Sequence, residues 1–294
     1  MDNDLPDSFD VASDGFPPPT IEAYFITLLR NLRTARGLSQ ARLGQLMTYS
    51  DGQIGMVESG RRRPTEEFAK QCDQFFGTVS AFTDLIPMMT WQALPSWLRA
   101  FAALEAQATA IRTCEVQVVP GLLQTPEYAR AVMRCEWPRP SDDDIDKWVA
   151  ARLDRQKILD RHDPPVITAL LAESVLRTPI GGAEVMTRQL DHLIRLAMRP
   201  KIRIHVLTYE QTARCHLDGP FILLELPKKK RFVFVQALGA GILLRDQLVL
   251  DSYGNRLQSI LGEALSWRES AGFIERLKKE LYGSDGSPVV EEQP

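Results

Sequence analysis

The 294-residue chain has no apolar run near the roughly 18 residues that a membrane-spanning helix requires, so no such helix is expected. Its opening residues, Met1-Asp2-Asn3-Asp4, are acidic where a secretory leader would be basic, and the cytoplasm is the expected compartment. Cysteine is scarce and scattered. Cys72, Cys114, Cys135 and Cys215 never form C-x-x-C, which argues against a zinc knuckle and a disulfide framework and for reduced, mostly buried thiols. His162, His192, His205 and His216 lack metal-ligand spacing, and the neighbours Cys215 and His216 cannot easily face one ion from a strand. No metal and no other cofactor is expected. The chain also lacks G-x-S-x-G, H-E-x-x-H and a Walker loop, and Gly239-Ala240-Gly241 misses the third glycine of a dinucleotide turn. An enzyme is not the expectation.

What is present suits a soluble chain of two domains, with 44% hydrophobic and 25% charged residues. The net charge of −3 hides an uneven distribution. Residues 1–19 hold five Asp and no Lys or Arg, whereas residues 20–79 hold eight basic against six acidic side chains. The segment 1–19 also contains Pro17-Pro18-Pro19 and no periodic apolar pattern, so it reads as a disordered acidic lead. The polar, acidic stretch 283–294 reads as a disordered tail.

From Thr20 the pattern becomes helical. Ile21, Tyr24, Phe25, Leu28, Leu29 and Leu32 recur at three- and four-residue steps along one face, and Arg36-Gly37 ends the helix. Ser39 suits the N-cap of a second short helix that turns Leu43 and Leu46 inward, with Gly44 small enough for close helix approach. Ser50 and Gln53 have capping-box spacing at the start of a third helix, which buries Ile54 and Val57 and stops at Gly60. Thr65 caps a fourth, with Phe68, Cys72, Phe75 and Phe76 on its apolar face. Residues 20–79 therefore form one small all-α domain.

Two short helices joined by a tight turn, the second followed by a run of arginines, can place a helix in the major groove. Gly37-Leu38-Ser39-Gln40, Leu43-Gly44 and Ile54-Gly55-Met56-Val57-Glu58-Ser59-Gly60-Arg61-Arg62-Arg63-Pro64 resemble the Xre family, the Cro- and lambda-repressor-like helix-turn-helix regulators. The resemblance implies that Gln40 and Arg42 position phosphates, that Ser50, Asp51, Gly52, Gln53 and Met56 lie at the groove-facing start of the third helix, and that Arg61, Arg62 and Arg63 clamp phosphates. Gln can read adenine bidentately and Arg suits phosphate oxygens, while Asp51 must cap, accept from cytosine or weaken binding. Gln53 has a structural alternative in its capping box with Ser50, and Glu58 suits a buried ion pair at the helix end.

Residues 80–282 alternate helical stretches with β-like runs, an α+β pattern. The helices are expected over 97–110, 126–134, 143–161, 182–198 and 258–281. The strands are expected at 115–119, 166–172, 202–207, 221–226 and 232–237, the last two flanking a charged hairpin turn at Pro227-Lys228-Lys229-Lys230. Val119-Pro120-Gly121-Leu122-Leu123-Gln124-Thr125-Pro126, with Arg152, Arg155-Gln156, Glu173 and Gln189-Leu190, resembles the uncharacterised domain that follows the Xre module in WhiJ-like and antitoxin-like regulators of actinomycetes. That resemblance implies a domain that senses a small-molecule effector or binds a small partner protein encoded nearby. Arg112, Glu115, Arg152, Arg155 and Glu173 are the candidates for such a site, with intradomain ion pairs as the plainer reading.

The expected architecture is thus α+β: an all-α helix-turn-helix domain, then a mixed α/β regulatory domain. The expected protein is a dimeric regulator of a double-stranded DNA operator, with no membrane partner. Two other classes remain open at this point: an enzyme with a DNA-binding headpiece, using Glu115 or Glu173 as base, and a protein-interaction scaffold. Charge complementarity adds one further expectation, that the acidic lead folds over Arg61–Arg63 as a gate. Deleting residues 1–19 should then tighten DNA binding at low salt, and unchanged affinity across salt would dispose of the gate.

Overall fold

The computed structural model describes residues 20–94, 96–215, 217, 219–237 and 240–282, leaving aside the side chains of Asp51, Ala93 and Ser96. The expected acidic lead, the expected tail, His216, Gly239 and the side chain of Asp51 lie outside the described residues. The chain divides into two compact units, Met1–Gln92 and Ala93–Pro294.

The first unit consists of α1 (Ile21–Ala35), α2 (Gln40–Leu46), α3 (Asp51–Glu58), α4 (Glu66–Phe76) and α5 (Leu85–Ala93). Hydroxyl caps set the starts of three helices: Thr20 accepts from the N–H of Ala23, Ser39 from that of Arg42 and Thr65 from that of Phe68. The periodic apolar residues meet in one core built on Phe25, Leu29, Leu43, Ile54, Val57, Phe68 and Cys72. Tyr24 departs from expectation and is mostly exposed, because its neighbour Phe25 takes the inward position at this point of α1. The last carbonyls of α4 are satisfied by Arg36, whose guanidinium donates to Phe75 O and Phe76 O and lies over both rings.

The core does not end at residue 79. Phe82, Leu85 and Met89 belong to it, which carries the first unit through α5. The chain between α4 and α5 is organised by Asp73, a buried carboxylate that accepts from the N–H groups of Phe82 and Thr83 and the hydroxyls of Thr78 and Thr83. Burial pushes this carboxyl up, and the four hydrogen bonds overcome it and hold the group below its ordinary range.

The second unit comprises α6 (Ser96–Glu105), β1 (Ala110–Glu115), α7 (Pro126–Arg134), α8 (Asp142–Gln156), β2 (Val166–Ala172), α9 (Glu173–Arg177), α10 (Ala183–Ala197) and β3 (Ile202–Leu207). It continues with α11 (Tyr209–Thr212), β4 (Phe221–Glu225), β5 (Arg231–Ala237), β6 (Ala240–Leu244), α12 (Gln247–Glu263) and α13 (Trp267–Tyr282). The strands form one mixed sheet in the order β3-β2-β1-β4-β5-β6. β1, β2 and β3 run parallel, as helical crossovers between them require, and β4, β5 and β6 extend the sheet antiparallel. Side chains alternate between two faces. Ile111, Ile167, Ala169, Ile204 and Leu224 pack with residues of α6, α10 and α13, whereas Cys114, Leu170, Leu223 and Val233 pack beneath Leu250, Leu257 and Ile260 of α12.

This arrangement bears out the α+β expectation and shifts several elements. The strand expected at 115–119 lies at 110–115, because Val119 leaves the sheet to place its N–H on the Tyr128 hydroxyl. The helix expected over 97–110 ends at Glu105, and residues 143–161 form α8 and a short 3₁₀ turn. The single helix expected over 258–281 is two, since Leu265 N–H turns out to bond Val206 O, and α12 begins earlier, at the Asp246 cap. Strand β6 went unforeseen because Ala240-Gly241-Ile242-Leu243-Leu244 has no polar alternation.

The Pro-Gly-Leu-Leu-Gln-Thr stretch proves to be an enclosed polar knot between elements. Gln124 is buried, donates to Val119 O and accepts from Arg152; Gln156 donates to Gly121 O and Gln124 O. Gln189, fully buried on α10, accepts from Thr125 N–H and donates to Leu123 O. Thr125 caps α7, with Pro126 in its first turn. Replacing Gln189 by Leu would keep the volume and leave two main-chain groups unpaired. Because a buried lone donor or acceptor costs about 1–3 kcal/mol, the Gln189→Leu variant should unfold in urea with roughly 2–4 kcal/mol less stability; a loss below about 1 kcal/mol would contradict this role.

Candidate nucleic-acid interface

The relative placement of α2 and α3 depends on small contacts. A Cβ on Gly44 would lie 3.1 Å from Tyr49 O and 3.2 Å from Ser50 O, so the bare glycine lets the turn into α3 pass closely over α2. Tyr49 N–H then bonds Gly44 O at 2.8 Å. Gly60, just past α3, sits at φ 71°, a left-handed conformation that favours glycine and lets the chain turn away.

Beneath α3, Ile54 and Val57 enter the core, and Glu58 closes the inner end. Glu58 is 2% exposed and takes a two-pronged ion pair from Arg33 of α1, at 2.6 Å from Nε and 2.9 Å from Nη2. Gln40 of α2 donates to the same carboxylate at 2.8 Å, and the Glu58 carbonyl accepts from Arg30. Burial works to raise this carboxyl, and the Arg33 and Gln40 hydrogen bonds with the Arg33 charge hold it below its ordinary 4.5. One carboxylate thereby ties three helices together.

The predicted site residues fall into distinct settings. Gly52 is exposed and Met56 39% exposed on the side of α3 away from Ile54 and Val57, and Gln53 is half-buried at its flank, one turn before Val57. The capping box expected between Ser50 and Gln53 does not form: the Ser50 side chain makes no cap hydrogen bond, and Gln53 N–H bonds Ser50 O instead. Arg42 is exposed near the start of α2, bonded to Gln45. Gln40 also lies at that start, yet its amide reaches inward to Glu58 and rests against Gly55, where a Cβ would stand 3.0 Å from its Oε1. Arg61 and Arg62 are exposed, with Arg62 N–H tied to Met56 O. Arg63 is half-buried, its Nη1 enclosed with no hydrogen-bond partner, and burial lowers its pKa while Glu22 acts the other way.

The five second-unit candidates do not meet at one place. Arg112 pairs with Glu225 at 3.2 Å, and Glu173 with Arg177 at 2.6 Å while also accepting from Tyr209 N–H. Arg155 holds buried Glu105 by two hydrogen bonds of 2.7 and 3.0 Å. Arg152 bonds Gln124 and leaves an enclosed Nε unpartnered; burial brings its pKa down to about 10. Glu115 accepts from the Thr113 hydroxyl on the sheet face opposite to Arg112, and burial raises its pKa to about 7. A cavity of about 550 Å³ beside α12 is lined by other residues, among them Cys114, Phe221, Val235, Tyr253 and Ile260. Sequence reasoning missed both this cavity and Asp73, whose signal was only an acid ahead of a Thr-containing turn.

Two small helices crossing at a glycine, with an exposed second helix and a following arginine run, define a helix-turn-helix unit. Residues 27–82 match the model of a helix-turn-helix domain, which makes the first unit that of a DNA-binding regulator. Residues 98–276, more than half of the chain, match the family described as a domain of unknown function (DUF5753), and the chain belongs to that family. No curated protein and no solved structure matches the chain.

Replacing Glu58 by Gln should cost the first unit about 3–5 kcal/mol, because Arg33 keeps its charge beside a neutral partner. The pH dependence follows from the lowered Glu58 pKa: its stabilisation is present above the ordinary 4.5 and lost as pH falls through the folded value. Thermal melts of parent and Glu58→Gln between neutral and acid pH should therefore converge as pH drops, and a constant gap would contradict the ion pair's contribution.

Proposed function

We propose that this chain is a transcriptional regulator of the Xre kind that reads a double-stranded DNA operator as a homodimer, with the second unit controlling it. The observation that carries the reading is the exposed side of α3, with Met56 on it, half-buried Gln53 at its flank and exposed Arg61 and Arg62 just after it, on a helix fixed from beneath by Glu58. Arg42, Arg61 and Arg62 supply phosphate contacts; Gln53 supplies base reading, with Ser50, Asp51, Gly52 and Met56 bordering it. Gln40, bonded inward to Glu58, and half-buried Arg63 take part at the margin of that surface. Because one recognition helix spans only a few base pairs, two copies about 34 Å apart are needed for useful specificity.

Control by the second unit takes one of two forms in this reading, a small effector or a small partner protein encoded nearby. The cavity beside α12 favours a small effector, since its roughly 550 Å³ falls within the range of small-molecule sites. The resemblance to WhiJ-like and antitoxin-like regulators of actinomycetes favours the partner protein. Arg112, Arg155 and Glu173 act as structural ion pairs here, and Arg152 and Glu115 as buried groups of the same core. The cytoplasm is the matching compartment.

The test separates positioning from reading. Arg62→Ala should weaken binding on operator and random DNA alike and flatten the salt dependence by about one unit of log–log slope. Gln53→Ala should cost about 1–3 kcal/mol on the operator and little on random DNA, shifting base preference. Equal losses on both DNAs for Gln53→Ala would refute the reading role.

A further inference from the structure

The fold treats the two edges of its sheet differently. The β3 edge is covered by the chain entering α13: Val206 N–H donates to Ser270 Oγ, Leu265 N–H donates to Val206 O, and His205 Nδ1 lies 3.0 Å from Leu265 O. At the other edge, β6 pairs with β5, and among the described residues its backbone has no further hydrogen-bond partner. The strand is nevertheless well seated. A Cβ on Gly241 would fall 2.5 Å from the Phe234 ring and 2.7 Å from the Trp97 ring, so the glycine leaves these two stacked rings in place.

Edges that must stay single carry proline, charge or a bulge, and residues 240–244 have neither proline nor charge. The exposed side chains there are apolar: Ile242 is 55% exposed, and Leu248, just past the turn into α12, is 81% exposed. The ladder closes on Ala237 opposite Ala240. With two residues between them, Ala240, Ile242 and Leu244 bond back to β5, and the N–H and C=O groups of Gly241 and Leu243 point to the open edge.

We propose that β6 is the seam of a homodimer, pairing antiparallel with β6 of a second copy about a twofold axis at Ile242. In that register Ile242 faces Ile242 of the partner subunit as a non-hydrogen-bonded pair, while Gly241 and Leu243 exchange hydrogen bonds with Leu243 and Gly241 of the partner subunit. The strand suits its own copy because no charge meets its like and each small Gly241 faces a larger Leu243. The choice of a second copy over a foreign strand rests on the operator-reading function, which requires two recognition helices in one particle.

The experiment uses the full chain in a Cys135→Ser background, since Cys135 is the exposed native thiol. Ile242→Cys should give a disulfide-linked dimer on mild oxidation, because the paired Cα atoms would stand about 4.5 Å apart, within disulfide reach. Val166→Cys, 46% exposed at the start of β2, an interior strand of the sheet, should remain monomeric under the same conditions. Ile242→Lys should raise the dimer dissociation constant in sedimentation by roughly tenfold or more, with an unchanged circular dichroism spectrum, since it sets like charges opposite one another. Equal cross-linking at both cysteines, or identical sedimentation of parent and Ile242→Lys, would overturn the seam. Operator binding by an Ile242→Cys chain that never cross-links overturns the seam and leaves DNA reading intact. Selective cross-linking in a chain that binds no DNA supports the seam and removes the operator-reading function.

Discussion

The placement of α3 in the helix-turn-helix unit depends on one buried carboxylate. Glu58 terminates α3 in a place water hardly reaches, and it is tolerable there only because Arg33 grips both its oxygens while Gln40 supplies a further hydrogen bond. Those three contacts reach α3 from α1 and α2, so they fix the angle at which α3 stands against its neighbours. Gly44 and Gly55 make the fit possible by leaving room for the Tyr49–Ser50 backbone and for the Gln40 side chain. What α3 offers outward is therefore a rigid presentation of few side chains. With glycine at 52 and 55, the proposed reading leaves base selectivity to Gln53 and Met56 or to DNA shape.

The second unit follows a different logic, in which polar side chains bind loops to a sheet. Gln124, Gln156 and Gln189 satisfy main-chain groups of the segment between β1 and α7, and the ion pairs Arg155–Glu105 and Glu173–Arg177 fasten helices at its margins. Arg112, Arg155 and Glu173, which suggested a binding site in the sequence, each stand in an ion pair. The cavity beside α12 and the β6 edge, which has no further backbone partner among the described residues, lie elsewhere.

The helix-turn-helix unit was largely legible in the sequence because its signals are local. Hydroxyl caps at Thr20, Ser39 and Thr65, the left-handed Gly60 and the apolar periodicity of α1 and α4 each act within a few residues. The same locality explains the errors. Ser50 and Gln53 have the spacing of a capping box, yet the tertiary setting gives the Ser50 side chain no such bond. Asp73 organises residues up to Thr83 through contacts no short window contains, and the first unit accordingly extends beyond residue 79. In the second unit, the parallel strands β2 and β3 were readable as apolar runs. β6 was not, since a strand without polar alternation looks like a fragment of any core.

Sequence-dependent binding of DNA through α3 is the property on which the proposed function stands. The measurement that tests it most directly is a titration of the full chain with the DNA upstream of its own gene against scrambled DNA of equal length, at two salt concentrations. Tighter binding to the upstream DNA is expected at both salts, with the two affinities falling together as salt rises. Binding that is equally strong on both DNAs, or absent at low salt, would contradict it.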